Sequence, residues 1–379
     1  PQTDRPRRAP SLPPGPIFAQ RNDCMKVLVA MSGGVDSSAA AALLTAAGHQ
    51  CVGCTMKLYQ NEDAGVSRGH TCCSLSDVED ARSAAYRLGM PYYVFNFTDE
   101  FRHQVIDRFA DCYCRGLTPN PCIDCNRYLK FGKLFERADL LGCDHIATGH
   151  YARIEQRGGK YLLKKALDPA KDQSYVLYAM TQAQLARTLF PLGDRTKADS
   201  RAAARSAGLL NAEKPDSQDI CFVPAGDYAR VVELHTGRAA EPGDFMDPEG
   251  RVLGRHQGII RYTVGQRRGS GISAGERQYV LAVRPEDNTV VLGPRAALLR
   301  QEVRVEDFHW IAGEAPAGPV RCAARLRYHQ AERAATAIPQ AGGRVLLRFD
   351  QPQPAGAPGQ AAVLYDGDVV LGGGIISRE

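Results

Sequence analysis

Two kinds of residue in this chain have the types and spacing for group-transfer chemistry. The first is a Gly-rich loop, Ser32-Gly33-Gly34-Val35-Asp36-Ser37, between an apolar run and an Ala/Leu-rich run. Glycines there let successive backbone N–H groups turn toward an anion, and a following helix N-terminus adds positive potential, so the loop suits phosphate or pyrophosphate. It lacks the Gly-Lys-Ser/Thr ending of a Walker A loop, so no lysine follows to meet a transferring γ-phosphate. Asp36 suits Mg²⁺, held directly or through water, and equally suits a carboxylate that complements the helix dipole.

The second kind is thiol: Asn120-Pro121-Cys122-Ile123-Asp124-Cys125-Asn126 and, far along the chain, Asp216-Ser217-Gln218-Asp219-Ile220-Cys221-Phe222. A thiolate attacks the sulfur of a persulfide or disulfide when its pKa is lowered and access is open, and two such thiols can relay and then resolve. Three readings follow: buried structural cysteines, a metal or cluster site, and a nucleophilic pair that passes sulfur. Cys122, Cys125 and Cys221 together hold three thiols, enough for three irons of a [4Fe–4S] cluster with the fourth iron open, and zinc is another occupant of such a set. Cys72-Cys73 is adjacent in sequence, and an accessory or structural role is expected for it.

The loop works only if a strand end and a helix start are held together. Residues 25–31 (MKVLVAM) read as a fully buried parallel strand, and 39–47 as a helix stopped by Gly48. The alternation continues with a strand at 51–56, a helix opened by the capping box Ser76 to Glu79, a strand at 92–97, helices at 101–109 and 130–141, and a strand at 145–148. This predicts a doubly wound α/β domain with a parallel sheet. A capping box from Thr196 to Asp199 opens a helix to about Gly208, after which short strands with frequent Gly and Pro take over. The expected organisation is a leader at 1–24, a catalytic domain at 25–215, a small mostly-β central domain at 216–284 and a C-terminal β-barrel at 285–379. Runs at 280–283 and 289–292 flank one turn, and Asp366-Gly367 marks a hairpin between 360–365 and 369–371.

With 379 residues and 44% hydrophobic content the chain buries a sizeable core, in two or three domains. It holds no run of about 18 apolar residues, and its first 24 residues lack the apolar stretch of a secretory signal. The expectation is a soluble, cytoplasmic, monomeric protein with no membrane partner and a disordered Pro-rich leader. Twelve cysteines without a signal point to reduced or reactive thiols or a metal rather than a disulfide scaffold. The net charge of +5 is mild, but Arg261, Arg267, Arg268, Arg321 and Arg325 make the β regions basic, as a salt-dependent grip on RNA would need.

SGGVDSS resembles the signature of the PP-loop ATP pyrophosphatases, which cleave ATP between the α and β phosphates and adenylate an oxygen. From about Met25 to Ile376 the chain is similar to the bacterial tRNA-specific 2-thiouridylases of that group. The similarity is carried by the loop, the two cysteine strings, Ala147-Thr148-Gly149-His150-Tyr151-Ala152-Arg153, Lys171-Asp172-Gln173-Ser174-Tyr175, Tyr262-Thr263-Val264-Gly265-Gln266-Arg267, Arg327-Tyr328, Ala357-Pro358-Gly359-Gln360 and Leu371-Gly372-Gly373-Gly374-Ile375-Ile376.

The resemblance implies a tRNA-uridine 2-sulfurtransferase acting on the wobble uridine 34 of the tRNAs for Lys, Glu and Gln. ATP with Mg²⁺ adenylates the base at its C2 oxygen, and a persulfide sulfur replaces it. A cysteine desulfurase, directly or through a carrier protein, supplies the sulfur. Cys221 would carry the persulfide and Cys125 would be the nucleophile, leaving a Cys125–Cys221 disulfide unless sulfide is released first. Ala30, Met31, Ser32, Gly33, Gly34, Val35, Asp36, Ser37, Met56 and Gly149 would contact ATP. Asn120, Pro121 and Cys122 would line the pocket of the extruded base, with His150, Lys171, Asp172, Gln173, Arg327, Tyr328 and Gln360 touching tRNA. In many family members an Asp, the proposed general acid/base, stands three residues before the nucleophile. Here that position is Cys122, and Asp124 lies on a different bearing.

Overall fold

Val27 and Val29 of strand β1 (Lys26–Ala30) belong to one apolar cluster and Leu28 between them to another, so β1 is buried on both faces. That alternation explains the layers of the N-terminal part. The structure is a computed structural model and describes residues 24–60, 75–216, 220–223, 226–272 and 277–378. The leader up to residue 23, and Cys72 and Cys73, lie outside the described residues.

After β1 come α1 (Val35–Ala46), β2 (Gln50–Lys57), α2 (Leu75–Arg87) and β3 (Tyr92–Asn96). A long helical run then holds α3 (Thr98–Phe101), a π-helical stretch and α4 (Asp107–Cys114). A second run holds α5 (Pro121–Asp124), a π-helical stretch at Cys125–Lys133 and α6 (Leu134–Leu140), before β4 (His145–Ala147). Strands β5 (Ala152–Arg157) and β6 (Lys160–Lys165), helix α7 (Gln182–Ala186), β7 (Thr188–Leu189) and α8 (Lys197–Ser206) complete this part. The parallel sheet has the order β3-β2-β1-β4-β7. Helices α1, α2 and α8 cover the Val27 face, while Ile123, Phe131, Leu134 and Ala138 cover the Leu28 face. The order reverses between β1 and β4, so a cleft opens at the carboxyl ends of these two strands.

Following helix α9 (Tyr228–Thr236), strands β8 (Gly243–Met246), β9 (Val252–His256), β10 (Tyr279–Arg284) and β11 (Thr289–Gly293) form a four-stranded sheet in the order β10-β11-β8-β9. The boundary expected at 284 therefore falls inside the β10–β11 hairpin, whose strands share the core of Phe245, Val280, Val290 and Leu292. Strands β12 (Leu299–Trp310), β13 (Val320–Arg325), β14 (Arg333–Gln340), β15 (Arg344–Pro354), β16 (Ala361–Asp366) and β17 (Val369–Ile376) follow. Antiparallel pairing in the order β12-β15-β14-β13-β16-β17, with β12 also paired to β17, closes them into a six-stranded barrel. Tyr365↔Val370 and Asp366↔Val369 pair across the Asp366-Gly367 turn.

The structure departs from the sequence reading at several ends. Helix α1 starts at Val35, directly on the loop, because Gly34 adopts an extended N-cap geometry. Helix α2 starts at Leu75, which places Ser76 inside its first turn rather than at the cap. The helices expected at 101–109 and 130–141 are longer and carry the π-helical stretches, which the apolar spacing does not reveal. The β5–β6 hairpin was not expected; Lys164 of β6 pairs with Val369 of β17, tying the N-terminal part to the barrel. Among the described residues no helix is long and apolar enough to cross a membrane.

Candidate functional site

The Gly-rich loop leaves the carboxyl end of β1 and enters α1 without an intervening residue of other structure. Gly33 has φ +77°, a left-handed conformation, and its missing side chain lets the loop lie against the Asp77 backbone. The Ser37 hydroxyl accepts from the Ser32 N–H at 3.1 Å and donates to the Gly34 carbonyl at 3.1 Å, holding the loop in a tight curl over the helix start. Asn211 Nδ2 donates to the Gly33 carbonyl and to Ser38 Oγ, each at 2.9 Å. At α1's N-cap, Gly34 makes no side-chain capping bond, leaving first-turn N–H groups for an anion.

Three strand ends meet here. Ala30 pairs with Cys54 of β2, two residues before half-buried Met56. Gly149 follows β4, and a Cβ at that position would stand 2.6 Å from Ser37 N and 2.7 Å from the Asp36 carbonyl carbon. The residues expected to hold ATP thus share one edge of the sheet.

A lysine does reach this loop, although none follows it in sequence. Lys197, the first residue of α8, donates to Asp36 Oδ1 at 2.6 Å and forms an ion pair with Asp216 Oδ1 at 2.6 Å. Its capping box is complete, with Thr196 accepting from the Asp199 N–H and Asp199 accepting from the Thr196 N–H. Tyr151 donates to the same Asp36 Oδ1 at 2.8 Å and lies 2.9 Å from Ser200 Oγ. Asp216 Oδ2 accepts from Lys171 at 2.8 Å, and Arg201 stands 3.7 Å from Oδ1. Burial alone would raise the Asp216 pKa, but the Lys171 and Lys197 interactions outweigh it and hold the carboxyl below its usual range. The capping box predicts the start of α8 but not what its first residue touches.

Cys125 stands where α5 passes into the π-helical stretch, is buried among Phe101, Phe109 and Leu129, and is a free thiol. Cys221, half-buried, packs on the same apolar cluster, its carbonyl accepting from the Tyr59 hydroxyl and its neighbour Phe222 wedged edge-on against Phe101 and Phe109. The fold therefore brings the two cysteines onto one cluster. Burial pushes the Cys125 thiol up to about 11, with Lys130 pulling the other way. In the tRNA-free protein, Cys125 alkylation by iodoacetamide is expected to lag exposed Cys122 and to speed up about tenfold per pH unit between pH 7 and 9. Peptide mass spectrometry checks this; a Cys125 rate already level at pH 7 would contradict it.

Cys122 is exposed on α5, within electrostatic reach of Tyr328 from the barrel. Asn120 stands at the N-cap position of that helix without a side-chain capping bond, Pro121 is its first residue, and Gln360 Nε2 donates to the Pro119 carbonyl at 3.3 Å. Asp124 faces elsewhere, 3.8 Å from Arg108 Nε, and burial raises its pKa to about 6 against the pull of Arg108 and Arg127. Tyr328 donates to the Asp172 carbonyl at 3.1 Å, and Arg327 to the Val264 carbonyl at 2.9 Å, so the barrel and central sheet converge on this corner.

Some residues expected at a tRNA surface lie inside. His150 is buried between Phe131 and Phe190, its Nδ1 2.7 Å from Thr148 Oγ1, and burial holds its pKa well below the ordinary imidazole value. Asp172 is 7% exposed, with its oxygens committed to Ser174, the Ala166 N–H and Arg325. Gln173 Oε1 accepts from the Tyr151 N–H. Of the five basic-patch arginines, Arg261 pairs with Glu233, Arg321 with Asp350, and Arg325 with Asp172 and Glu332. Carboxylates from a neighbouring strand, a helix and two loop positions take up these charges, which the sequence does not foretell.

Among the described residues, no three His, Cys, Asp or Glu side chains come together as a metal-binding group. Cys122 faces solvent while Cys125 faces the apolar cluster, so the trio with Cys221 does not fit a [4Fe–4S] cluster or zinc. Asp36 Oδ1 is taken by Lys197 and Tyr151 rather than directed at a protein-held cation.

Comparison with known proteins matches residues 25–225 to the "tRNA methyl transferase HUP domain", 232–294 to the "tRNA methyl transferase PRC-barrel domain" and 300–376 to the "Aminomethyltransferase beta-barrel domain". The tRNA-specific 2-thiouridylase MnmA of Moorella thermoacetica is 51% identical over 353 residues, covering 92% of this chain and 98% of its own. The protein of the same name from Roseiflexus sp. is 47% identical over 372 residues, covering 93% of this chain and 100% of its own. A solved 4-thiouridine synthetase–RNA complex with bound ATP is similar over 53% of this chain and 46% of its own, at 20% identity and a TM-score of 0.33.

Proposed function

This chain belongs to the family of the tRNA-specific 2-thiouridylases, and we propose from that premise that it uses ATP to replace the C2 oxygen of a tRNA uridine with sulfur. The observation that carries the reading is the Gly-rich loop at the carboxyl end of β1 together with Cys125 and Cys221 on one apolar cluster, with Tyr328 of the barrel within electrostatic reach of the exposed Cys122. A phosphate cradle and a sulfur relay are the two parts that adenylation followed by thiolation needs.

In this reading the loop from Ala30 to Ser37, with Met56 and Gly149, holds the nucleotide as its magnesium complex, and the wobble uridine's C2 oxygen attacks the α-phosphorus, expelling pyrophosphate. The terminal sulfur of a Cys221 persulfide bonds to C2, and AMP leaves with the C2 oxygen. Cys125 then attacks the Cys221 sulfur. The S–S bond breaks with its electron pair staying on the transferred sulfur, and a Cys125–Cys221 disulfide remains for a thiol reductant to reopen. The thiols do not fit a cluster, so no step runs through iron. Asn120, Pro121 and Cys122 line the base pocket, and Lys171, Arg327, Tyr328 and Gln360 approach the RNA around it. Asp172 and Gln173 support that rim from below, and His150 backs it from the interior. The substrates are the tRNAs for Lys, Glu and Gln, the sulfur comes from a cysteine desulfurase directly or through a carrier, and the enzyme works as a cytoplasmic monomer.

The test is thiolation of those tRNAs with ATP and a persulfide donor, reading 2-thiouridine by nucleoside mass spectrometry and pyrophosphate by a coupled assay. Both products are expected in equal amounts. Base methylation from S-adenosylmethionine without ATP consumption would replace this reading with the methyl transfer that the domain descriptions mention.

A further inference from the structure

Several arginines of the β regions are neutralised within the molecule: Arg261, Arg321 and Arg325 by the carboxylates named above, and Arg348 by Glu302 at 2.8 Å. Arg295 and Arg333 differ. Both are exposed, and among the described residues neither forms an ion pair or a hydrogen bond. Arg333 follows Glu332 directly, but that carboxylate is held by Arg325 at 2.8 Å and by Lys165 at 2.6 Å. Arg295 opens the short 3-10 helix (Arg295–Leu298) that leads from β11 into β12. The two arginines line one open cleft of about 560 Å³ on the seam between the central sheet and the barrel. Gln330, Gln353, Pro354 and Leu299 line it with them, and among the described residues no carboxylate does. Leu299 is 43% exposed there, an apolar side chain left open beside two cations. The walls are fixed, because Leu299 pairs with Pro354 across β12 and β15 and the Ala355 N–H donates to the Leu298 carbonyl at 2.8 Å. Gln330 belongs to the β13–β14 connection: its N–H donates to the Arg327 carbonyl at 3.1 Å, and its Oε1 accepts from the Leu326 N–H at 3.2 Å. The loop that brings Tyr328 within electrostatic reach of Cys122 thus also supplies a wall of the cleft.

We infer that this cleft binds the sugar-phosphate backbone of the tRNA away from the extruded base, with Arg295 and Arg333 each meeting a phosphate and Leu299 and Pro354 packing against the sugars. This rests on the tRNA reading and deepens it, adding a contact that fixes the RNA's register without reading its sequence. A guanidinium with no internal carboxylate keeps its full charge for phosphate, and each phosphate it neutralises releases a counterion. An acidic protein surface would meet the same charges. The cleft's continuity with the Arg327-Tyr328 loop favours RNA, since a strand whose base enters beside Cys122 must cross that loop to leave.

The experiment measures equilibrium binding of unmodified transcripts of a tRNA for Lys and of a tRNA outside the Lys, Glu and Gln set, between about 50 and 200 mM salt. Wild type is compared with Arg295→Gln, Arg333→Gln, the double variant and Arg333→Lys. Each Gln substitution is expected to lower the slope of log affinity against log salt by about 1 and to weaken binding about tenfold near 0.1 M salt, by the same factor for both tRNAs; the double variant loses about 2 from the slope. Arg333→Lys, which keeps the charge, is expected to keep the slope. At saturating tRNA, kcat for 2-thiouridine stays at the wild-type value while KM rises. Melting temperatures stay at the wild-type value too, because both side chains are exposed and leave no internal partner behind. An unchanged slope in the double variant overturns the inference, whether or not affinity falls. So does a loss confined to one of the two tRNAs, which marks base reading instead. Wild type that binds neither tRNA defeats the tRNA reading itself, and the cleft's role with it; that outcome is distinct because it appears before any substitution is made.

Discussion

Replacement of Cys221 by Ser is expected to lower 2-thiouridine formation about a thousandfold or more, and Cys125→Ser is expected to do the same once no reductant frees the sulfur independently. The oxygen of serine forms no persulfide, so in the proposed mechanism Cys221→Ser removes the sulfur carrier itself. In the same mechanism Cys125→Ser removes the group that cleaves the Cys221 S–S bond. Both thiols lie on the cluster around Phe101, Phe109 and Phe222, so the side chains exchanged are nearly the same size and the packing cost is small beside the chemical one. Pyrophosphate release is expected to persist in both variants, because the nucleotide loop lies on other elements. Nucleoside mass spectrometry with a parallel pyrophosphate assay reads the result. Full thiolation by both variants would remove cysteine from the mechanism.

Gly149→Ala is expected to slow ATP-dependent pyrophosphate release by about 100-fold through misplacement of the loop. The added Cβ would meet Ser37 N at 2.6 Å and the Asp36 carbonyl carbon at 2.7 Å, and both are backbone atoms at the start of α1. Unlike the far end of a flexible side chain, that backbone yields only by moving the helix N-terminus and the N–H groups offered to phosphate. Overpacking of this kind also costs about 1–3 kcal/mol of stability. Thermal denaturation and steady-state kinetics with varied ATP measure the two effects. Gly318→Ala serves as the control, since a Cβ there has nothing within 4 Å. Unchanged kinetics in Gly149→Ala would show that β4 and α1 can separate without harm to the site.

The elements around β1 were legible because each is announced by its own residues. A Val-rich run, two glycines and an Ala-rich run are contiguous, so strand, loop and helix follow from local chemistry. The Asp366-Gly367 hairpin and the Thr196 capping box are legible for the same reason. The β5–β6 hairpin was not, because its attachment depends on β17, more than 200 positions away. The division between the central sheet and the barrel was misplaced because a turn looks the same whether it ends a sheet or continues one.

At the site the same division holds. Which residues offer themselves for binding phosphate or passing sulfur, Ser32 to Ser37, Cys125 and Cys221, was readable from side-chain type and from neighbours in the chain. Their surroundings came from long-range packing. It buried Cys125 and left Cys122 exposed, turned Asp124 toward Arg108, withdrew His150 and Asp172 from the surface, and brought Lys197 to the loop that has no lysine of its own. Burial and pairing are set by which strand ends become neighbours in the sheet, and that depends on the packing of the whole chain rather than on any one stretch of it.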